Sequence, residues 1–369
     1  MQPRVVFLWL KAPLSLRFAS VVHVLLLVTL APVVSAQEGP AGFPDRAELT
    51  GALEAFEVPG AAMALLEGCT VREVVPAGTA DLSTGAPVTE RTAFEAASLT
   101  KPVFSYLVMT LVDEGVIDLD APLAETFSYD RIPDAEGYAA LTPRMILTHR
   151  TGLPNWVDEG TVFEDRTEAI PFGTRPGEAF SYSGEAFQLL QAFVEDRTGT
   201  TFEALFAGRL GAVMPDSAVA RPLPEGVEPA KGYPAAPEAG NGRGLDELGD
   251  NARAAYSLVT TAGDYAAFLS HVCAGEGLSP ELHAEMLRPQ SPAPMEVLRV
   301  GDGPVPPPAS WGLGWMILDL GPVSLAGHGG SNDEFTAFAG FMPETGDGLV
   351  ILTNGRNGER MINAILLPQ

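Results

Sequence analysis

Strand-like runs stand near both ends of this 369-residue chain while helical patterns fill its middle, a pattern that suggests one sheet built from both ends. Near the start, Asp45 is placed to cap a helix over 46–56 that Pro59-Gly60 ends. The apolar runs Ala61–Leu66 and Val71–Ala77 follow, joined by a turn around Gly68. Near the end, Gly312–Leu318, Val323–Ala326, Glu334–Phe341 and Gly348–Thr353 read as strands, and Glu359–Leu366 as a short helix. Between them, Ser98–Gly115 carries Val103, Leu107, Val108, Leu111 and Val112 at helical spacing. Further helices are expected near 142–149, 184–198, 201–208 and 254–273. Residues 212–250, rich in Pro, Gly, Asp and Glu, read as an irregular surface excursion. The expected division is a sheet unit from 42–115 and 251–369, with a mainly helical region, 116–250, inserted in it.

The first 36 residues read differently. Arg4, Lys11 and Arg17 precede the apolar run Val21–Val28, and Val34-Ser35-Ala36 offers small residues for cleavage, the layout of a secretory signal peptide. An exported protein, periplasmic or extracellular, is expected, with membrane contact only if that segment stays uncleaved; the run is short for a bilayer span. Of 22 Lys+Arg against 47 Asp+Glu, the mature chain keeps two lysines, Lys101 and Lys231. Such acidity argues against nucleic-acid binding, which needs a basic footprint. Retention of a lysine at 101 points to a task that Arg cannot perform, such as proton transfer. Cys69 and Cys273 are permitted a disulfide after export, but two buried thiols are the favoured expectation. No clustered Cys/His spacing suggests a metal, and no cofactor fingerprint appears.

Three local patterns carry chemistry. In Ser98-Leu99-Thr100-Lys101, a Ser and a Lys one helical turn apart share a face, so the amine can reach the hydroxyl. In Phe180-Ser181-Tyr182-Ser183-Gly184, a Tyr sits in a small-residue loop before a helix. In Gly327-His328-Gly329-Gly330-Ser331, glycines allow close backbone approach, and a strand N–H there can stabilise an oxyanion. Each pattern alone is common. His149 reads as a hydrogen-bonded turn residue, Lys231 as a surface residue, and Trp311 and Trp315 as core or cleft lining.

Taken together and in order, the three resemble the serine β-lactamase and penicillin-binding-protein superfamily, with its Ser-x-x-Lys, Tyr motif and Lys/His-x-Gly. Phe94-Glu95-Ala96-Ala97, Leu147–Pro154 and Tyr256–Asp264 add to the likeness, which covers about 45–355 and is closest to the class C β-lactamase-like serine hydrolases, D-aminoacyl peptidases and esterases included. The resemblance implies an α+β fold, an α/β sandwich whose antiparallel sheet is flanked by helices. It implies Ser98 as acylated nucleophile, Lys101 as its activating partner and Tyr182 as general base, with either Lys101 or Tyr182 taking the Ser proton. It also implies an oxyanion hole from the N–H groups of Ser98 and Ser331, with His328, Gly329 and Gly330 binding substrate. The family's Tyr-x-Asn is Tyr182-Ser183-Gly184 here, and its usual Lys is His328, expected to titrate near neutrality and to attract anionic substrates when charged. Both departures favour esters or small amide and peptide-like substrates over efficient β-lactam hydrolysis. The alternative is a penicillin-binding sensor with little turnover.

Overall fold

A computed structural model describes residues 44–157, 167–245, 249–294 and 308–366; the expected signal segment, 1–36, lies outside the described residues. Helix α1 (Arg46–Phe56) begins in a capping box: Asp45 accepts from the N–H groups of Ala47 and Glu48, and Glu48 accepts from Asp45 N–H. The hairpin β1 (Gly60–Glu67) and β2 (Thr70–Asp81) follows, then the short strands β3 (Ala86–Pro87) and β4 (Thr92–Glu95). A 3-10 turn, Ala97–Leu99, leads into α2 (Thr100–Asp113). The middle supplies α3 (Ala135–Ala139), α4 (Pro143–Leu147), α5 (Gly184–Thr198), α6 (Phe202–Leu210) and β5 (Glu228–Pro229). The last third holds β6 (Val259–Thr260), α7 (Ala262–Cys273), α8 (Pro280–Leu287), β7 (Ser291–Ala293), β8 (Ala309–Trp311), β9 (Met316–Asp319), β10 (Ser324–Ser331), β11 (Thr336–Phe341), β12 (Gly348–Thr353) and α9 (Gly358–Leu366).

Nine strands form one sheet in the order β3-β2-β1-β12-β11-β10-β9-β8-β7, every neighbouring pair antiparallel. Both faces are covered, which explains the unbroken apolar runs of its central strands. Along β1, Ala62, Ala64 and Leu66 join the core with α2 and α7, while Ala61, Met63 and Leu65 pack with Leu49 and Leu53 of α1 and Met361 and Ile362 of α9. On β12, Val350 and Leu352 face the first side, Leu349 and Ile351 the second. The architecture is the expected α+β sandwich. No described helix is long and apolar enough to cross a membrane.

Four expectations are corrected. The helix expected over 254–273 starts at Ala262, because Thr261 caps it by accepting from Asp264 N–H; residues 254–256 are instead a turn and Val259–Thr260 the strand β6, with Ser257 Oγ between them donating to Val219 O at 2.6 Å. The single strand expected over 312–318 is a hairpin, with Trp311 paired to Met316 across its turn. The 212–250 excursion is largely exposed yet anchored to the sheet unit: Tyr233 is buried, its hydroxyl accepts from Leu82 N–H, and β5 pairs with β4. The two cysteines are not free thiols. Helix α7 packs on β1 and β2, bringing Cys273 to the turn that carries Cys69, and the pair is disulfide-bonded with Cα atoms 5.5 Å apart. Ser270 Oγ donates to Cys69 O at 2.6 Å across the same contact.

Candidate active site

Ser98 lies in the 3-10 turn at the head of α2, behind an unusual backbone. Ala97 has φ 47°, in the left-handed region, which costs an L-residue roughly 1–2 kcal/mol. Neighbours hold it there: Ala96 N–H donates to Leu258 O at 2.8 Å, Thr100 Oγ1 donates to Ala97 O at 2.6 Å, and Tyr265 OH donates to Leu99 O at 3.0 Å. One turn on, Lys101 is buried, and its Nζ donates to Ser98 Oγ at 3.1 Å and to Ala255 O at 2.8 Å. The backbone carbonyl fixes the amine where the Ser-x-x-Lys spacing aims it.

Tyr182 enters from the opposite wall, in the loop before α5. Ser181 N–H donates to His149 O at 2.7 Å and Ser183 N–H to His149 Nδ1 at 3.1 Å, clasping the residue between them. His149 is thus the expected hydrogen-bonded turn residue, with φ 53°. Its ring also lies over that of Tyr182, centroids 4.4 Å apart and tilted 35°. Because Nδ1 accepts, the imidazole is neutral with its proton on Nε2. Burial and the charge on Lys101 hold its pKa well below the usual value. Lys101 Nζ stands 4.8 Å from the Tyr182 ring centroid. Burial pushes the phenol up, which the nearby Ser98 hydroxyl only partly offsets. Ser98, Lys101 and Tyr182 are therefore brought together.

The third wall is β10, beside the Ser98 turn. Gly330 permits this approach, since a Cβ there would collide with Ala96 O. Ser331 follows at the strand's end, paired with Thr336 on β11. Gly329 is exposed. His328 is 3% exposed, its ring 6.0 Å from Tyr182 and 5.4 Å from Trp311 by centroid. Its Nδ1–H donates to Gly329 O at 2.6 Å, since a carbonyl can only accept, leaving Nε2 as an acceptor. Burial first, and the Lys101 charge second, push its pKa down to about 3. The expectation that His328 titrates near neutrality and attracts anionic substrates as a cation is thereby corrected: it is a neutral ring. Among the described residues no group of His, Cys, Asp and Glu side chains is arranged to hold a metal ion.

Trp311 and Trp315 are both buried, as expected, and Trp311 closes the aromatic cluster over His149, Tyr182 and His328. The sequence reading missed the Ala255 carbonyl, because a backbone acceptor leaves no residue signature. It also missed Trp156, whose six-membered ring occupies the direction in which a Cβ on Gly184 would project. The Gly at the third position of Tyr182-Ser183-Gly184 was the available signal.

Comparison with known proteins agrees with this geometry. Penicillin-binding protein 4 of Amycolatopsis lactamdurans is 25% identical over 324 residues, 81% of either chain. Esterase EstB of Burkholderia gladioli is 32% identical over 168 residues, 40% of either chain. The structure of D-amino acid amidase from Ochrobactrum anthropi SV3 in complex with L-phenylalanine amide superposes with a TM-score of 0.70 at 25% identity, covering 86% of this chain and 96% of that one. The family description Beta-lactamase matches residues 47–367. Spanning nearly the whole described fold, that match shows that the chain belongs to the Beta-lactamase family of serine hydrolases.

Proposed function

We propose that the chain is an exported hydrolase that works through an acyl-enzyme on Ser98 and acts on esters or small amide and peptide-like substrates. The observation that carries this reading is one buried amine set between two hydroxyl-bearing side chains: Lys101 Nζ donates to Ser98 Oγ at 3.1 Å and lies 4.8 Å from the Tyr182 ring centroid. As Ser98 Oγ bonds to the substrate carbonyl carbon, its proton passes to the Lys101–Tyr182 pair, whose protonation states are coupled. The carbonyl oxygen gains the negative charge, and the N–H groups of Ser98 and Ser331 stabilise it. The tetrahedral species collapses, the bond to the leaving group breaks, and the pair returns the proton to that group. Water then repeats the sequence on the acyl-enzyme and releases the acid.

Two features support substrates that are uncharged around the scissile bond. His328 offers a neutral ring where a cation would recognise a carboxylate, and Gly184 offers no side chain to hold an amide. An esterase among the similar proteins fits the ester part of this range, and a D-amino acid amidase fits the small amides. Export is supported by the N-terminal pattern and by the Cys69–Cys273 disulfide, which suits an oxidising compartment. The test is labelling with a fluorophosphonate, followed by a panel of nitrocefin, short nitrophenyl esters and D-amino-acid amides. Labelling confined to Ser98, with both labelling and turnover lost in Ser98→Ala, is the expected result. A permanent adduct with no product release from any substrate would instead identify a sensor, and labelling elsewhere would refute the assignment.

A further inference from the structure

We infer that Glu95 and Asn332 form a polar clamp that sets the spacing of the two oxyanion-hole donors, which makes both of them positioning residues for acyl transfer. This rests on the hydrolase reading and deepens it. Glu95 ends β4, three residues before Ser98, and is buried. Asn332 directly follows Ser331 at the end of β10. Asn332 Nδ2 donates to Glu95 Oε2, so one hydrogen bond spans the two segments that carry the Ser98 and Ser331 N–H groups.

Each end of the clamp is fixed to its own segment. Glu95 is paired with Val259 of β6, and the next residue, Ala96, donates its N–H to Leu258 O at 2.8 Å. On the other side, Asn332 Oδ1 accepts from Phe335 N–H at 2.7 Å and from Glu334 N–H at 3.3 Å, while Asn332 N–H donates to Phe335 O at 3.1 Å. Because Oδ1 is taken up by these two backbone donors, the NH2 end of the amide faces Glu95. The turn between β10 and β11 therefore aims the donor, and Phe335, buried, anchors that turn. A carboxylate enclosed at this place needs a donor, and Asn332 supplies one.

Stabilisation of the tetrahedral species depends on two N–H groups lying at hydrogen-bond distance from one oxygen, and it is lost when either is displaced. The close approach of Gly330 to Ala96 O brings β10 against the Ser98 turn, but that contact limits only how near the strand can come. The clamp resists sliding of Ser331 along the turn, because a hydrogen bond has a preferred direction as well as a length. Neither side chain needs to touch the substrate.

Exchanging the hydrogen-bonding groups of the pair tests this. Asn332→Asp keeps an oxygen for the Phe335 and Glu334 N–H groups but turns a second acceptor toward Glu95, so the clamp loses its donor. With nitrophenyl acetate it is expected to lower kcat by about tenfold or more and to leave KM within about threefold. Phenylboronic acid, whose tetrahedral adduct on a serine places an oxygen in the oxyanion hole, should bind more weakly by a similar factor. Glu95→Gln, whose amide oxygen still accepts from Asn332, is expected to lose only about three- to fivefold in kcat. The double variant Glu95→Gln/Asn332→Asp again sets a donor against an acceptor, with the direction reversed, and should regain the kcat and boronate affinity of Glu95→Gln alone. A merely stabilising contact would shift the urea midpoints and leave these kinetic ratios alone. Wild-type kcat in Asn332→Asp, a loss confined to KM, or a double variant no better than Asn332→Asp would overturn the clamp and leave the hydrolase reading standing. If circular dichroism shows that Asn332→Asp does not fold, Glu95→Met takes its place, and an undiminished kcat there would overturn the clamp equally. A wild-type protein that neither labels with a fluorophosphonate at Ser98 nor hydrolyses the ester would overturn both.

Discussion

Replacing His328 with Gln isolates the proton that burial denies this ring. An unfolded His takes up its proton near pH 6.5, whereas His328 in the fold does so only at about pH 3. Between those values the unfolded chain binds more protons than the native one, so acidification draws the protein toward unfolding. Each pH unit below 6.5 costs about 1.4 kcal/mol, and by pH 4 the accumulated loss is about 3 kcal/mol; above pH 6.5 the contribution vanishes. Asp264 works in the opposite direction, since burial raises its carboxyl to about 6 and the native state holds that extra proton in mild acid. Because Asp264 and the buried His149 are common to both proteins, their effects cancel in the difference. Urea unfolding of wild type and His328→Gln at pH 7, 6, 5 and 4 provides the assay. The wild type should lose about 1.4 kcal/mol per pH unit relative to the variant below pH 6.5. A stability difference that stays flat from pH 7 to pH 4 would refute a neutral, buried His328. The same neutrality predicts parallel pH–activity profiles for anionic and neutral substrates between pH 5 and 8.

Two further outcomes follow from packing. The disulfide closes a loop of 204 residues, so replacing both cysteines with Ser should lower stability by about 2–5 kcal/mol, measured by chemical unfolding with matched m-values; a loss under 1 kcal/mol would show that the unfolded chain gains little freedom. Gly330→Ala would drive a methyl into Ala96 O, and should cut kcat by more than about tenfold by moving β10 off the Ser98 turn; unaltered kcat would remove that strand from the oxyanion site.

Much of this arrangement was legible in the sequence because it is local. The Asp45 cap, the β1–β2 turn at Gly68 and the Ser98–Lys101 spacing depend on residues a few positions apart. What escaped depends on tertiary contact. The pairing of Cys69 with Cys273 is set by where α7 lies on β1 and β2, not by spacing. The neutrality of His328 comes from enclosure by Tyr182 and Trp311 and from the nearby ammonium of Lys101. The apolar run before Thr261 masked the true start of α7, which the Thr261 cap sets. The seat of Trp156 on Gly184 joins two segments that no periodicity relates.

The strand order also has a consequence for biosynthesis. Ala61 on β1 is bonded across the sheet to Thr353 on β12, so the first long strand made waits for almost the last one. A chain emerging from the ribosome cannot complete its central pairing until synthesis is nearly finished, and until then β1 presents an unpaired apolar edge that invites aggregation. Ser98 belongs to the early part of the chain and Ser331 to the late part, so a nascent chain carries the nucleophile well before it carries β10. The position of a truncation matters more than its length. Removing β7 would trim the sheet at its margin, whereas a stop codon ahead of β12 would split it down the middle, parting β1–β3 from β7–β11.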